Sequence, residues 1–163
     1  MKIRRITRRD LPVLTAMVVE FERHLARVEG KRCRIDAQKT GKSLGAAGFG
    51  RGRFFDGLLA IENGEAQGYL LYYFGFDTDH LCGSLVIRDF FVRAGARRQG
   101  AGRALFQRAQ ETARARGCGR MEWTVWNINA PAIAFYRAMG AEAVSDELPM
   151  GLAIDRKPGP VAG

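Results

Sequence analysis

Arg97-Arg98-Gln99-Gly100-Ala101-Gly102 is the stretch from which the rest of the chain can be read. Upstream of it, Ser84-Leu85-Val86-Ile87-Arg88-Asp89-Phe90-Phe91-Val92 has the composition of a strand. Downstream, Arg103 to Ala113 has that of a helix. A strand, a basic glycine-bearing loop and a helix start together make an anion site. The helix start offers free backbone N–H groups and the positive end of its dipole. Glycines let that backbone approach a phosphate closely, and arginines add charge-assisted hydrogen bonds. The expected ligand therefore carries phosphates. Two nucleotide loops are excluded by spacing. Gly95 and Gly100 have the separation of a Walker A loop, but Ala101-Gly102 follows where Lys and Ser or Thr are required. Leu105 stands where a dinucleotide fingerprint needs its third glycine.

A second segment reads Asn127-Ile128-Asn129-Ala130-Pro131-Ala132-Ile133-Ala134-Phe135-Tyr136-Arg137-Ala138-Met139-Gly140-Ala141. Asn129 suits a helix N-cap, Pro131 the first turn and Gly140 the C′ position, so a short helix is expected over Asn129–Met139. Taken alone, Tyr136 reads as a core tyrosine on an amphipathic helix.

The two motifs together change that reading. R-x-x-G-x-G after a strand, then N-x-P-A-x-x-F-Y-x-x-x-G, resembles the GNAT superfamily of N-acetyltransferases. The resemblance implies an α+β fold, a mixed, mostly antiparallel sheet flanked by helices. It also implies acetyl-CoA as co-substrate, with no metal. On it, Arg97, Arg98, Gln99, Gly100, Ala101, Gly102 and Arg103 would hold the pyrophosphate, the strand end at Phe91 and Val92 would meet the pantetheine and thioester, and Asn129 would bond the cofactor side. Tyr136, also against the cofactor, would protonate the leaving thiolate. A phenol near pKa ~10 is reasonably matched to a thiolate near ~8.5.

The run through Asp89-Phe90-Phe91-Val92 is most similar to the diamine (spermidine/spermine) acetyltransferase branch, which has a glutamate base before it. Here Arg88 occupies that position. A guanidinium accepts no proton at neutral pH and repels a cationic amine. Arg88 is therefore expected to select an acceptor that also carries a carboxylate or phosphate. Either water relays the proton or another group is the base; Asp89 is the candidate, although in a regular strand it points to the face opposite Arg88, and an ion pair with a neighbouring arginine is its other reading. Glu122 and His80 are fallback bases. The Trp123/Trp126 pair is expected in the core.

Composition bounds the rest. The 163 residues suit one domain, expected over 1–157, with a disordered tail over 158–163. The net charge of +9 fits an anionic cofactor, and no nucleic-acid motif accompanies it. No run is long enough to span a membrane, and the first residues lack a signal-peptide core. Cys33, Cys82 and Cys118 match no metal pattern and suit a reducing cytoplasm, with Cys118 expected in a turn after Gly117. A homodimer is implied by the resemblance alone. Along the chain, strands are expected over 2–6, 54–62, 69–74, 81–92 and 121–126, with weak closing strands at Ala141–Val144 and Met150–Ile154. Helices are expected over 11–28, Asp36–Leu44 and 102–116. Within this frame the leading function is acetyl transfer to a primary amine of a small molecule. Protein N-terminal or lysine acetylation, or a non-catalytic acyl-CoA-binding module, are the alternatives.

Overall fold

Asn63 and Gly64 both take left-handed backbone, φ 51° and 81°, the conformation a two-residue hairpin turn requires. They join β2 (Asp56–Glu62) to β3 (Glu65–Asp77), and β1 (Lys2–Arg5) pairs antiparallel along the other edge of β2. β4 (Cys82–Val92) returns antiparallel to β3. α3 (Ala101–Ala115) then crosses over to β5 (Cys118–Glu122), which pairs parallel with β4. The order is β1-β2-β3-β4-β5, a mixed and mostly antiparallel sheet, as expected. In this computed structural model, residues 1–143 and 150–153 are described. They fall into two compact units, Met1–Trp123 and the residues from Thr124 onward.

β3 lies at the centre, and Tyr69, Leu70, Leu71 and Tyr72 are all buried, as expected for a strand covered on both faces. Tyr69 and Leu71 join Ile6, Leu14, Met17, Leu59 and Phe91 in one core. α1 (Leu11–Val28) and α2 (Ala37–Phe49) cover that core through Val13, Phe21, Leu44 and Phe49. Leu70 and Tyr72 alternate to the opposite face, where α3 buries Ala101, Leu105, Phe106, Ala109 and Ala113.

α2 is five residues longer at its C-terminus than its glycines suggest. Gly45 and Gly48 lie inside the helix and not in a loop. A Cβ on Gly48 would stand 2.7 Å from the Phe55 ring, and one on Gly45 3.1 Å from Leu11. The missing side chains are what lets α2 sit close to its neighbours, which outweighs the poor helix propensity of glycine. β5 begins three residues earlier than expected and ends at Glu122. Gly117, at φ 78°, closes α3, so Cys118 is already the first strand residue and not part of a turn. Trp123 packs edge-on against Phe106, centroids 5.3 Å apart, whereas Trp126 is exposed rather than in the core. Ala141–Ala143 and Met150–Ala153 are not strand. The remainder of both expected closing strands, and the tail at 158–163, lie outside the described residues.

In the C-terminal unit, α4 (Ala130–Ala138) has the expected caps. The Asn129 side chain accepts from the Ala132 N–H at 3.2 Å. Gly140 is left-handed at φ 86°. The Ala141 N–H donates to the Tyr136 carbonyl and the Gly140 N–H to that of Arg137, the paired bonds of a Schellman ending.

Candidate active site

The register of β4 changes where the site begins. Leu71 pairs with Asp89 and Tyr72 with Ile87, so Arg88 has no partner on β3 and forms a bulge. One extra residue inverts the alternation that follows. Leu85 and Ile87 share the face of Phe74 and Tyr72, whereas Asp89 and Phe91 share that of Leu71 and Tyr69. The strand is not regular at this pair, so the bulge and not simple alternation puts Asp89 on the face of Leu71. Arg88 is exposed at the bulge.

Asp89 is partly buried and accepts a 2.7 Å hydrogen bond from the fully buried Tyr69 hydroxyl. Burial pushes its carboxyl up to about 6; the Tyr69 hydrogen bond opposes the rise, and the like charge of Glu22 on α1 adds to it. Its structural partner is thus a phenol, not the neighbouring arginine considered from sequence. Burial, then the Asp89 charge, holds the Tyr69 phenol far above its ordinary range. Tyr69 was not singled out from sequence. It lies twenty residues from Asp89, and only the strand register joins them.

β4 pairs with β5 only from Gly83 to Val86. From Ile87 to Val92 that edge of β4 makes no ladder among the described residues. A strand end that runs past its neighbour can present backbone amides to an extended amide-bearing molecule. Phe91 turns its ring into the core against Phe21 and Tyr69, so it offers only backbone to this edge. The Val92 carbonyl accepts from Arg97 Nε at 3.0 Å, which ties the loop back onto the strand end.

The loop itself turns through Arg98 at φ 62° and Gly100 at φ 89°. Gly100 precedes α3, and no side chain caps the first amides of that helix. Nothing lies within 4 Å of where a Gly100 Cβ would be. Gln99 folds its side chain onto the Gly95 carbonyl at 2.7 Å. Arg97, Arg98, Gln99, Gly100 and Arg103 are exposed, Gly102 is partly buried, and Ala101 anchors the turn in the core. Uncapped amides, a left-handed glycine and several arginines fit a pyrophosphate. Among the described residues no group of three or more His, Cys, Asp or Glu could hold a metal ion, and no helix is long and apolar enough to cross a membrane.

Tyr136 and Asn129 belong to the C-terminal unit. Tyr136 is partly buried on α4, its ring 5.3 Å from that of Phe135. The fallback bases are engaged elsewhere. His80 Nδ1 lies 2.9 Å from Asp77, and His80 Nε2 lies 3.1 Å from Arg120. Glu122 stands 3.6 Å from the same Arg120.

Known proteins resemble this arrangement. The model of a family described as "Acetyltransferase (GNAT) family" matches residues 13–141. A thialysine N-epsilon-acetyltransferase from Bos taurus is 31% identical over 113 residues, 64% of this chain and 66% of that protein. A streptothricin acetyltransferase from Streptomyces lavendulae is 48% identical over 56 residues, 34% of this chain and 30% of that one. The chain thus spans less than two thirds of both relatives. An integron cassette protein from the mobile metagenome of V. cholerae shares the fold, with a TM-score of 0.82 at 23% identity over 94% of this chain and 93% of its own.

Proposed function

This chain belongs to the acetyltransferase (GNAT) family, and on that premise we propose that it moves an acetyl group from acetyl-CoA to a primary amine of a small molecule by direct attack. The observation that carries the reading is the left-handed, arginine-bearing loop from the end of β4 into the start of α3, whose first amides no side chain caps. Acetyl-CoA supplies the activated acetyl thioester. The amides from Arg98 to Arg103 hold its pyrophosphate, with Arg97, Arg98 and Arg103 adding charge, and the edge around Phe91 and Val92 bonds the pantetheine amides. Positioning of this kind removes most of the entropic barrier to attack. An amide near Val92 is the donor for the thioester oxygen.

Asp89 acts as the base. Its carboxylate takes a proton from the acceptor ammonium, whose free amine then bonds the acetyl carbon as the carbon–sulfur bond breaks. A carboxyl near 6 is ionised at neutral pH yet basic enough to take part in proton transfer. Tyr136 gives its proton to the departing sulfur, a role resting on the motif Asn129 to Gly140; the new amide nitrogen sheds its second proton to solvent, from which Tyr136 is reprotonated, and Asn129 orients the cofactor side. Arg88 receives a carboxylate or phosphate on the acceptor. The name of the Bos taurus relative supports this, because thialysine is an amino acid, with a carboxylate as well as a side-chain amine. A cytoplasmic location and a homodimer belong to the same proposal.

The test is thiol release from acetyl-CoA over a panel of amines. Amino acids with a side-chain amine are expected to outperform spermidine, and Asp89→Asn is expected to lower kcat by about 10²-fold or more. No turnover with any amine, or an unchanged Asp89→Asn enzyme, overturns the reading.

A further inference from the structure

Resting on the assignment of Asp89 as the base, we propose that Tyr69 is a positioning residue whose hydroxyl holds the Asp89 carboxylate in place for proton transfer. The argument starts from the bulge. Were Arg88 paired with Leu71 in a regular ladder, Asp89 would stand opposite Leu70 on the α3 face with Ile87, and Tyr69 would be out of reach across the sheet. The extra residue brings Asp89 to the face where Tyr69 is buried. Tyr69 is fixed there by packing: its ring stands 6.0 Å from that of Phe91, and none of the residue is exposed. A hydroxyl on so immobile a ring donates from a fixed point, 2.7 Å from Asp89 Oδ2. That bond favours the ionised carboxylate and limits its rotation.

Burial opposes ionisation of Asp89 most strongly, and the groups around it each act in a definite direction. Tyr69 on β3 and the Phe90 backbone N–H favour ionisation, Arg88 favours it by charge, and Glu22 on α1 disfavours it. Tyr69 itself keeps its proton, because burial and the adjacent carboxylate both oppose phenolate formation. It therefore remains a donor throughout turnover and is not a second acid. A buried tyrosine could also satisfy its hydroxyl on any acceptor with no effect on chemistry. The two roles differ in the pH profile.

Tyr69→Phe keeps the ring and removes the donor. Its expected signature is an acid limb of kcat/KM displaced upward by about one pH unit. The loss is then about fivefold at pH 6 and nearly absent at pH 8.5, with KM for acetyl-CoA unchanged. Glu22→Gln should displace the limb downward. If Tyr69→Phe leaves the limb in place while Asp89→Asn is inactive, Tyr69 is only a packing residue and the base assignment stands. If Asp89→Asn keeps the wild-type profile, the base assignment itself fails. Should Tyr69→Phe not fold, the wild-type protein decides by carbon NMR. The Tyr69 Cζ resonance must titrate with the same midpoint as the Asp89 carboxyl, and independence of the two overturns the proposal.

Discussion

Asp89 and Asp10 show the same residue type driven in opposite directions. Asp10 is nearly buried and receives both guanidinium nitrogens of Arg4, at 2.7 and 2.6 Å, together with the Thr7 N–H and hydroxyl, each at 2.8 Å. The Arg4 hydrogen bonds above all hold its carboxyl far below the ordinary range. Its stabilisation is complete above pH ~4 and is lost as pH falls below that. Asp10→Asn is expected to lower stability at pH 7 by about 2 kcal/mol, because Arg4 is left without its counter-charge. The deficit should shrink in denaturation curves recorded at pH 3. Asp89 has the reverse sign. Its folded form binds a proton more tightly than the unfolded chain, so stability falls as pH rises from ~4 through about 6. Asp89→Asn should therefore raise Tm at pH 7.5 while removing activity, and a lower Tm would show that the ionised carboxylate stabilises the fold. The proposed acid at Tyr136 is tested by Tyr136→Phe. Turnover should drop by about 10²-fold with a smaller change in KM; wild-type turnover would leave only a packing role.

Among the elements, α3 and α2 both depend on glycine, for different reasons. At the start of α3, Gly102→Glu would put a negative side chain in the proposed phosphate path. Calorimetry should find no acetyl-CoA binding, and unchanged affinity would mean the site lies elsewhere. In α2, alanine normally improves on glycine by about 1 kcal/mol in a helix interior. At Gly48 the new methyl would press on the Phe55 ring, and overpacking of about 1–3 kcal/mol exceeds that gain. Gly48→Ala should thus lower Tm, and adding Phe55→Leu should recover part of the loss. The contrast explains what could be read in advance. The Asn63-Gly64 turn, the Asn129 cap and Gly140 are local, each fixed by residues within a few positions. The length of α2 was not legible, because the use of Gly45 and Gly48 depends on Leu11 and Phe55, which other segments deliver. The Tyr69–Asp89 pair was hidden for the same reason, since a bulge is a property of two strands and not of one sequence window.

At the scale of the whole molecule, the excess of 26 Lys and Arg over 17 Asp and Glu becomes a field. A net charge of +9 should draw in an anionic cofactor and weaken that attraction as salt screens it. KM for acetyl-CoA is expected to rise several-fold between low and moderate ionic strength, with kcat nearly constant. A flat salt profile would assign the arginines to solvated surface only. The same field disfavours polycations, in line with Arg88. Arg88→Glu should shift kcat/KM toward spermidine and away from amino acids, and efficient spermidine acetylation by the unaltered protein would remove Arg88 from the acceptor site.

The bulge at Arg88 means that this position counts twice, once as a charge and once as a unit of length. Substitution and deletion therefore test the two roles separately. Arg88→Ala keeps the count, so Asp89 and Phe91 stay on their faces and only acceptor preference suffers. Removing residue 88 restores an even ladder in which Ile87 and Asp89 face the neighbouring Tyr72 and Leu71, so Asp89 and Phe91 again keep their faces. Such a shortened chain should still fold, because the residue it lacks is exposed and the core pairings on either side of it survive.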